Sequence, residues 1–339
     1  MGGLADGQTV KRVNKALGLK NPVIGVRFLY FQEEYEANPA PAWNGKLTVC
    51  GMAKRALDGH IFKVAPENFG CPFGSYAVGV GQPDLMDRNG QTVERCLLYE
   101  DYGVARQIME GMCFLTHDVY GLLWGPLEEL AKADVAIIVG SAYQMMRVMQ
   151  GYAYKMGNPR HLCSVGNQAV CSDLIAKPFT RHDINISFMC KGARINMRCD
   201  DGEMAAAIPV GLFGALAEGI LLTLNPVLDT KQKTDLLARL ETPDELGFPI
   251  DTSWTYSTKL REFLAEKEQA LAARARRQAA TGVGERIGGG ERTGADERTG
   301  AGKRIDGEER TGGGAPVAVA EGGPAGLSGG ENAVPRQDA

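Results

Sequence analysis

The sequence predicts an α/β protein, with a mixed sheet and flanking helices arranged as two weakly similar lobes and a disordered tail behind them. Three observations carry this. "DVAIIVG" (134–140) is an almost unbroken apolar run between two helix-like stretches, the pattern of a strand in a parallel sheet buried on both faces. "NPVIGVRFLYF" (21–31) is a second strand, rich in β-branched and aromatic residues and introduced by Asn-Pro. From Thr281 the last 59 residues contain no aromatic side chain but 17 of the 44 glycines, in degenerate Glu-Arg-Thr-Gly repeats. Such a stretch cannot bury enough apolar surface to offset its ordering entropy. The expected organisation is a first lobe over 1–125 and a second over 126–280, together one globular unit, then the tail over 281–339.

The elements follow in order. A helix is expected over 8–18, then the first strand and a proline-bearing polar loop. "LTVCGMAKRALDGH" (47–60) places Val49, Met52, Ala53, Ala56 and Leu57 at helical spacing, with Gly59 as its stop. The glycine-rich "IFKVAPENFGCPFGSYAVGVG" (61–81) reads as turning backbone, and "YGVARQIMEGM" (102–112) as a helix. "GPLEELAKA" (125–133) reads as a short helix, and "SAYQMMRVMQGYAYKMG" (141–157) as a longer one capped by Ser141. The alternating "INISFMC" and "ARINMRC" suggest a hairpin turning at Lys191-Gly192. "MAAAIPVGLFGALAEGILLTL" (204–224) reads as a buried helix with Pro209 in its first turn, and 257–280 as a charged helix leading to the tail.

Charge excludes several classes of function. The tail holds seven basic and ten acidic residues, and the rest of the chain 30 and 31, so nothing favours nucleic acid or an anionic membrane. No apolar stretch reaches the roughly 20 residues that span a bilayer, and the N-terminus has no apolar signal region. A cytoplasmic location is expected, where eight cysteines would serve metal binding, catalysis or packing rather than disulfides.

Four of those cysteines repeat. Cys50 and Cys71 are separated by twenty residues, Cys171 and Cys190 by eighteen. Each first cysteine follows a valine, and each second lies within two residues of a glycine. A pseudo-twofold relation between lobes would bring the two pairs together, as a four-thiolate zinc site or the ligands of a [4Fe–4S] cluster. Packing is the competing use of a cysteine, and Cys96, Cys113, Cys163 and Cys199 are assigned to it. His60 and His182 lie at comparable places between the paired cysteines, where thiol catalysis would want a base. Arg27 and Arg194 are candidates for holding an anionic ligand or for structural ion pairs, and the junction at Ser141–Gln144 is a candidate ligand site. No Walker or dinucleotide fingerprint is present.

"NPVIGVRFL", "VCGMAKRALDGH", "NFGCPFGSYAVGVG", "ADVAIIVGSAYQ" and "VCSD…INISFMCKGAR…DDGEMAAAIP" together resemble the family catalogued as domain of unknown function 169, found in archaea and anaerobic bacteria. The resemblance spans about residues 10–225. It implies that Cys50, Cys71, Cys171 and Cys190 occupy family-motif positions, with Arg194 after the last. By analogy with anaerobic lineages it favours iron–sulfur over zinc. The resulting expectation is a cluster acting in electron transfer with a redox partner protein, or as a Lewis acid toward a small ligand in anaerobic metabolism. Two others stand beside it: a metal-free module or enzyme for an anionic small molecule, and an accessory subunit of a larger complex tethered by its tail.

Overall fold

The structure is a computed structural model that describes residues 6–81, 85–164, 166–167, 169–240 and 242–280. The expected tail over 281–339 lies outside them. The strands are β1 (Ile24–Leu29), β2 (Phe62–Val64), β3 (Gly121–Pro126), β4 (Val135–Ser141), β5 (Asn185–Ser187) and β6 (Glu203–Pro209). The first helices are α1 (Gly7–Leu17), α2 (Gln32–Ala37), α3 (Val49–Leu57), α4 (Pro72–Ala77), α5 (Leu85–Arg88), α6 (Gln91–Arg95) and α7 (Tyr102–Gly111). The later ones are α8 (Ala142–Met156), a π-helical segment (Ala169–Ala176), α9 (Lys177–Arg181), α10 (Lys191–Met197), α11 (Val210–Leu222), α12 (Leu224–Val227), α13 (Thr230–Arg239) and α14 (Tyr256–Ala280). The described residues form one compact unit.

The six strands make one sheet in the order β2-β3-β1-β4-β6-β5. All five pairings are antiparallel, which corrects the parallel pairing expected of the 134–140 strand within a mixed sheet. The apolar run in β4 did signal burial on both faces, but that burial comes from helices laid on each side of an antiparallel sheet. Alternate residues divide cleanly. Ile24, Val26, Phe28, Val135, Ile137 and Val139 join α3, the π-helical segment and α10 in one core. Leu29, Leu123, Ala136, Ile138, Ala206 and Ile208 join α1, α8 and α11 in the other.

The sheet repeats itself about the β1–β4 seam. Ile24 opposes Pro126 as Val135 opposes Pro209, so each half closes its third strand with a proline at the same register. Phe62 opposes Trp124 as Asn185 opposes Ala207. The next backbone bonds match too: Leu127 N–H donates to the Val23 carbonyl at 2.8 Å and Val210 N–H to that of Asp134 at 2.9 Å. Thus the order strand, helix, edge strand, middle strand occurs twice.

Three local expectations are corrected. Residues 203–209 form a strand, and the helix begins at Val210, after Pro209. Small alanines at 205–207 fit the crowded centre of a sheet covered on both faces. Residues 191–197 form α10 instead of a hairpin arm, because Cys190 caps that helix and accepts from Ala193 N–H at 3.3 Å. "GPLEELAKA" holds the end of β3 and a 3-10 turn, Leu127–Glu129.

Candidate functional site

Each half of the repeat delivers two cysteines to the same face of the sheet. Thr48 caps α3 by accepting from Gly51 N–H at 3.0 Å, which places Cys50 in the first turn. Val49, Met52, Ala53 and Ala56 anchor that helix in the core. Cys71 is the residue before α4, with Pro72 at the first helical position. Its approach is fixed by buried Asn68, whose amide donates to the carbonyls of Trp43 and Gly45 at 3.1 and 3.0 Å and whose oxygen accepts from Ala65 N–H at 2.8 Å.

In the second half Cys171 is buried in the π-helical segment, a geometry that recurs at functional sites. Asp173 of this segment and Lys177, the first residue of α9, form an ion pair at 2.6 Å that is closed to solvent. Cys190 follows Met189, which adopts a left-handed backbone (φ +67°) that turns the chain from β5 into α10. Arg194 fastens this turn by donating to the carbonyls of Phe188, Asp200 and Glu203 at 2.8, 3.0 and 3.2 Å.

Cys50, Cys71, Cys171 and Cys190 line a single cavity of about 200 Å³. Phe73, Val93, Leu98, Tyr99, Met109 and Met112 supply apolar walls, and Asn167 and Asn196 supply amides. Among the described residues no histidine or carboxylate lines it. The thiols sense one another. The Cys190 thiol is pulled well below the ordinary range, first by a hydrogen bond from Cys50 and then by N–H groups of Ala169, Ala193 and Gly192, against the opposing effect of burial. Cys50 is pushed up by giving that hydrogen bond, by burial and by the other three cysteines. Burial first, then Cys71 and Cys190, pushes Cys171 up. The two shifts run in opposite directions, favouring the thiolate at Cys190 and the thiol at Cys50. Among the described residues no group of three or more His, Cys, Asp or Glu side chains has the arrangement that a metal ion requires.

This asymmetry is directly testable. In metal-free protein Cys190 should alkylate with iodoacetamide at a rate nearly flat across neutral pH, because the thiolate is already formed. In Cys50→Ala the rate should fall as pH drops through 8, since the thiolate loses its donor. Peptide-resolved mass spectrometry reads both profiles, and identical profiles would remove the Cys50 hydrogen bond from the account.

The other candidate residues lie elsewhere. Arg27 pairs with Glu34 at 2.5 Å. Ser141 and Gln144 form a reciprocal cap, and the Gln144 amide donates to the carbonyls of Leu17 and Gly18 at 3.0 and 2.9 Å, sewing α8 to the end of α1. With Arg194 holding carbonyls, all four side chains are spent on the protein itself, and none lines the cysteine cavity. His60 and His182 are exposed and outside the cavity. Of the four packing cysteines, Cys113 and Cys199 lie against the core, whereas Cys96 is exposed, a correction to its assignment. The residues that the sequence did not flag are the wall from 93 to 112 and the two asparagines. The stretch at 102–112 reads as a helix from sequence, but nothing local marks its apolar face as a cavity wall.

Comparisons with known proteins identify a family but bring no activity. The uncharacterised protein MJ0308 of Methanocaldococcus jannaschii is 22% identical over 216 residues, which cover 63% of this chain and 92% of that protein. No solved structure matches the chain. Residues 12–219 match the family described as uncharacterised ArCR, a span that includes all six strands and all four cavity cysteines. The chain belongs to this family, domain of unknown function 169.

Proposed function

We propose that Cys50, Cys71, Cys171 and Cys190 hold a [4Fe–4S] cluster and that the protein is a cytoplasmic iron–sulfur protein of redox metabolism. The observation that carries this reading is the convergence of four thiols, two from each half of the fold, on one cavity. The donor type suits this reading: soft thiolates select iron–sulfur clusters or zinc, and no described histidine or carboxylate lines the cavity. Zinc, held by four sulfurs at about 2.3 Å, is the second reading of the same donor set.

When bound, the cluster would supply one-electron transfer. The chain's own contribution is to orient and polarise. The N–H of Ala193 already points at the Cys190 sulfur, and such bonds stabilise negative charge on sulfur and raise the reduction potential. The apolar walls keep water from the buried Cys171 side. A cytoplasmic, reducing location is consistent with eight free cysteines, and among the described residues no helix is long and apolar enough to cross a membrane.

The test is anaerobic purification followed by iron, zinc and acid-labile sulfide analysis of wild type and Cys171→Ser. About four iron and four sulfide per chain, with brown colour, and loss of both in the variant are expected. One zinc without sulfide would replace the cluster by a zinc site. Absence of metal from both samples would leave the Cys50–Cys190 dithiol as the functional group.

A further inference from the structure

We propose that the surface cavity beside the C-terminal end of α8 binds the phosphate group of a small metabolite. This site is independent of the cysteines. The cavity encloses about 300 Å³, and Arg160, Arg181, His161 and His182 bring two guanidinium groups and two imidazoles to its rim, with Asn158 between them. Met156 and Leu212 form an apolar patch in its wall.

The balance of charge favours an anion. Among the described residues neither Arg160 nor Arg181 has a carboxylate ion-pair partner. The lining contains one carboxylate, Asp183, and its oxygens are already occupied. One accepts from the Tyr152 hydroxyl and from Ile184 N–H at 2.8 Å, the other from Arg160 N–H at 2.8 Å. Burial would raise Asp183, but these three bonds outweigh it and hold the carboxyl below its usual range, while Tyr152 is pushed up to about 12 and stays a donor. Asp183 thus pins the Arg160 backbone and keeps its own negative charge, so the lining carries two guanidinium charges against one carboxylate.

Arg181 is fixed from another side. One of its terminal nitrogens donates to the His161 carbonyl at 3.1 Å, which orients the fork and leaves its remaining N–H groups for a ligand. His182 adopts a left-handed backbone (φ +49°) as the cap of α9, and so turns back toward the same cavity. Two guanidinium groups flanked by imidazoles suit a dianion with three free oxygens better than a carboxylate, which has one charge and two oxygens.

The experiment is calorimetric titration of the full-length protein with inorganic phosphate and with glycerol 3-phosphate, against chloride at matched ionic strength. Saturable binding is expected, at least tenfold weaker in Arg160→Gln and in Arg181→Gln and unchanged in Arg106→Gln, an exposed arginine on α7. Tighter binding of the ester would identify an organic phosphate using the Met156–Leu212 patch, and equal binding would identify free phosphate. The chain has four histidines, so phosphate should shift two of four imidazole resonances, those of His161 and His182. The proposal is overturned by non-saturable heats, by acetate binding as well as phosphate, or by both arginine variants retaining wild-type affinity.

Discussion

Lys177→Met is expected to destabilise the fold by about 3–5 kcal/mol at neutral pH, the range for removing one partner of a buried ion pair. Lys177 and Asp173 are 1% and 0% exposed, so the carboxylate left behind has no water to turn to. Its remaining donors are the hydroxyls of Ser164 at 3.0 Å and Ser187 at 3.2 Å. Lys177 also donates to the Cys163 carbonyl at 3.1 Å, so the loop before the π-helical segment loses an anchor as well.

The pH dependence of this loss has a definite sign. Burial already raises Asp173 above its ordinary value, although Lys177 and the two serines pull the other way. A carboxyl raised on folding contributes most below its unfolded pKa and least once pH has passed its folded pKa. Without the lysine the folded pKa climbs further. The gap between wild type and variant is therefore widest at pH 7 and narrows toward pH 4. Urea titrations at both values measure it, and a gap below about 1 kcal/mol at pH 7 would mean that the pair is far more hydrated than its burial indicates. Adding Asp173→Leu to the variant should recover much of the loss, because an apolar pair of similar size removes the stranded charge.

Gly219→Ala should cost about 3 kcal/mol, at the upper end for overpacking. A methyl group at Gly219 would fall inside the van der Waals envelope of the Gly151 carbonyl, which is backbone and cannot rotate away. From the other side, a methyl on Gly151 would come within 2.6 Å of the Ile220 nitrogen. The two glycines let α8 and α11 touch backbone to backbone, and either substitution forces the helices apart. A fall in Tm of roughly 6–12 °C follows for a domain of this size. Gly214→Ala, on the same helix with open space around it, is the control. It should be neutral or stabilising by up to about 1 kcal/mol from helix propensity alone. Equal behaviour of the two variants would refute close packing at Gly219.

How far the sequence disclosed these features depended on how local their causes are. The strand at 24–29, the Ser141 cap and the helix at 49–57 are each set by a few neighbouring residues, and each was legible. The pairing of cysteines was legible as well, because the repeat survives in the spacing around Cys50, Cys71, Cys171 and Cys190. Strand direction was not, since a doubly covered antiparallel strand and a parallel one share the same apolar pattern. "ARINMRC" alternates as a strand would, yet Ala193 and Met197 also fall one helical turn apart, and the Cys190 cap decides for the helix. Arg27 and Arg194 looked available for a ligand because Glu34 and four carbonyl groups come to them only in the folded chain. The basic cavity at 160–182 was hidden for the same reason: its charges are isolated in sequence and neighbours in space.

The seam between β1 and β4 also dictates how the protein is made. It joins residues 24–26 to residues 135–137, more than a hundred positions apart, and contacts of that range form late because the loop must first be closed. A chain emerging from synthesis carries Cys50 and Cys71 long before Cys171 and Cys190 exist. The early half holds the three strands β1, β2 and β3, but only two of the four cavity cysteines. Completion of the cavity is thereby coupled to long-range pairing, so that only a chain extended past Cys190 presents all four sulfurs together.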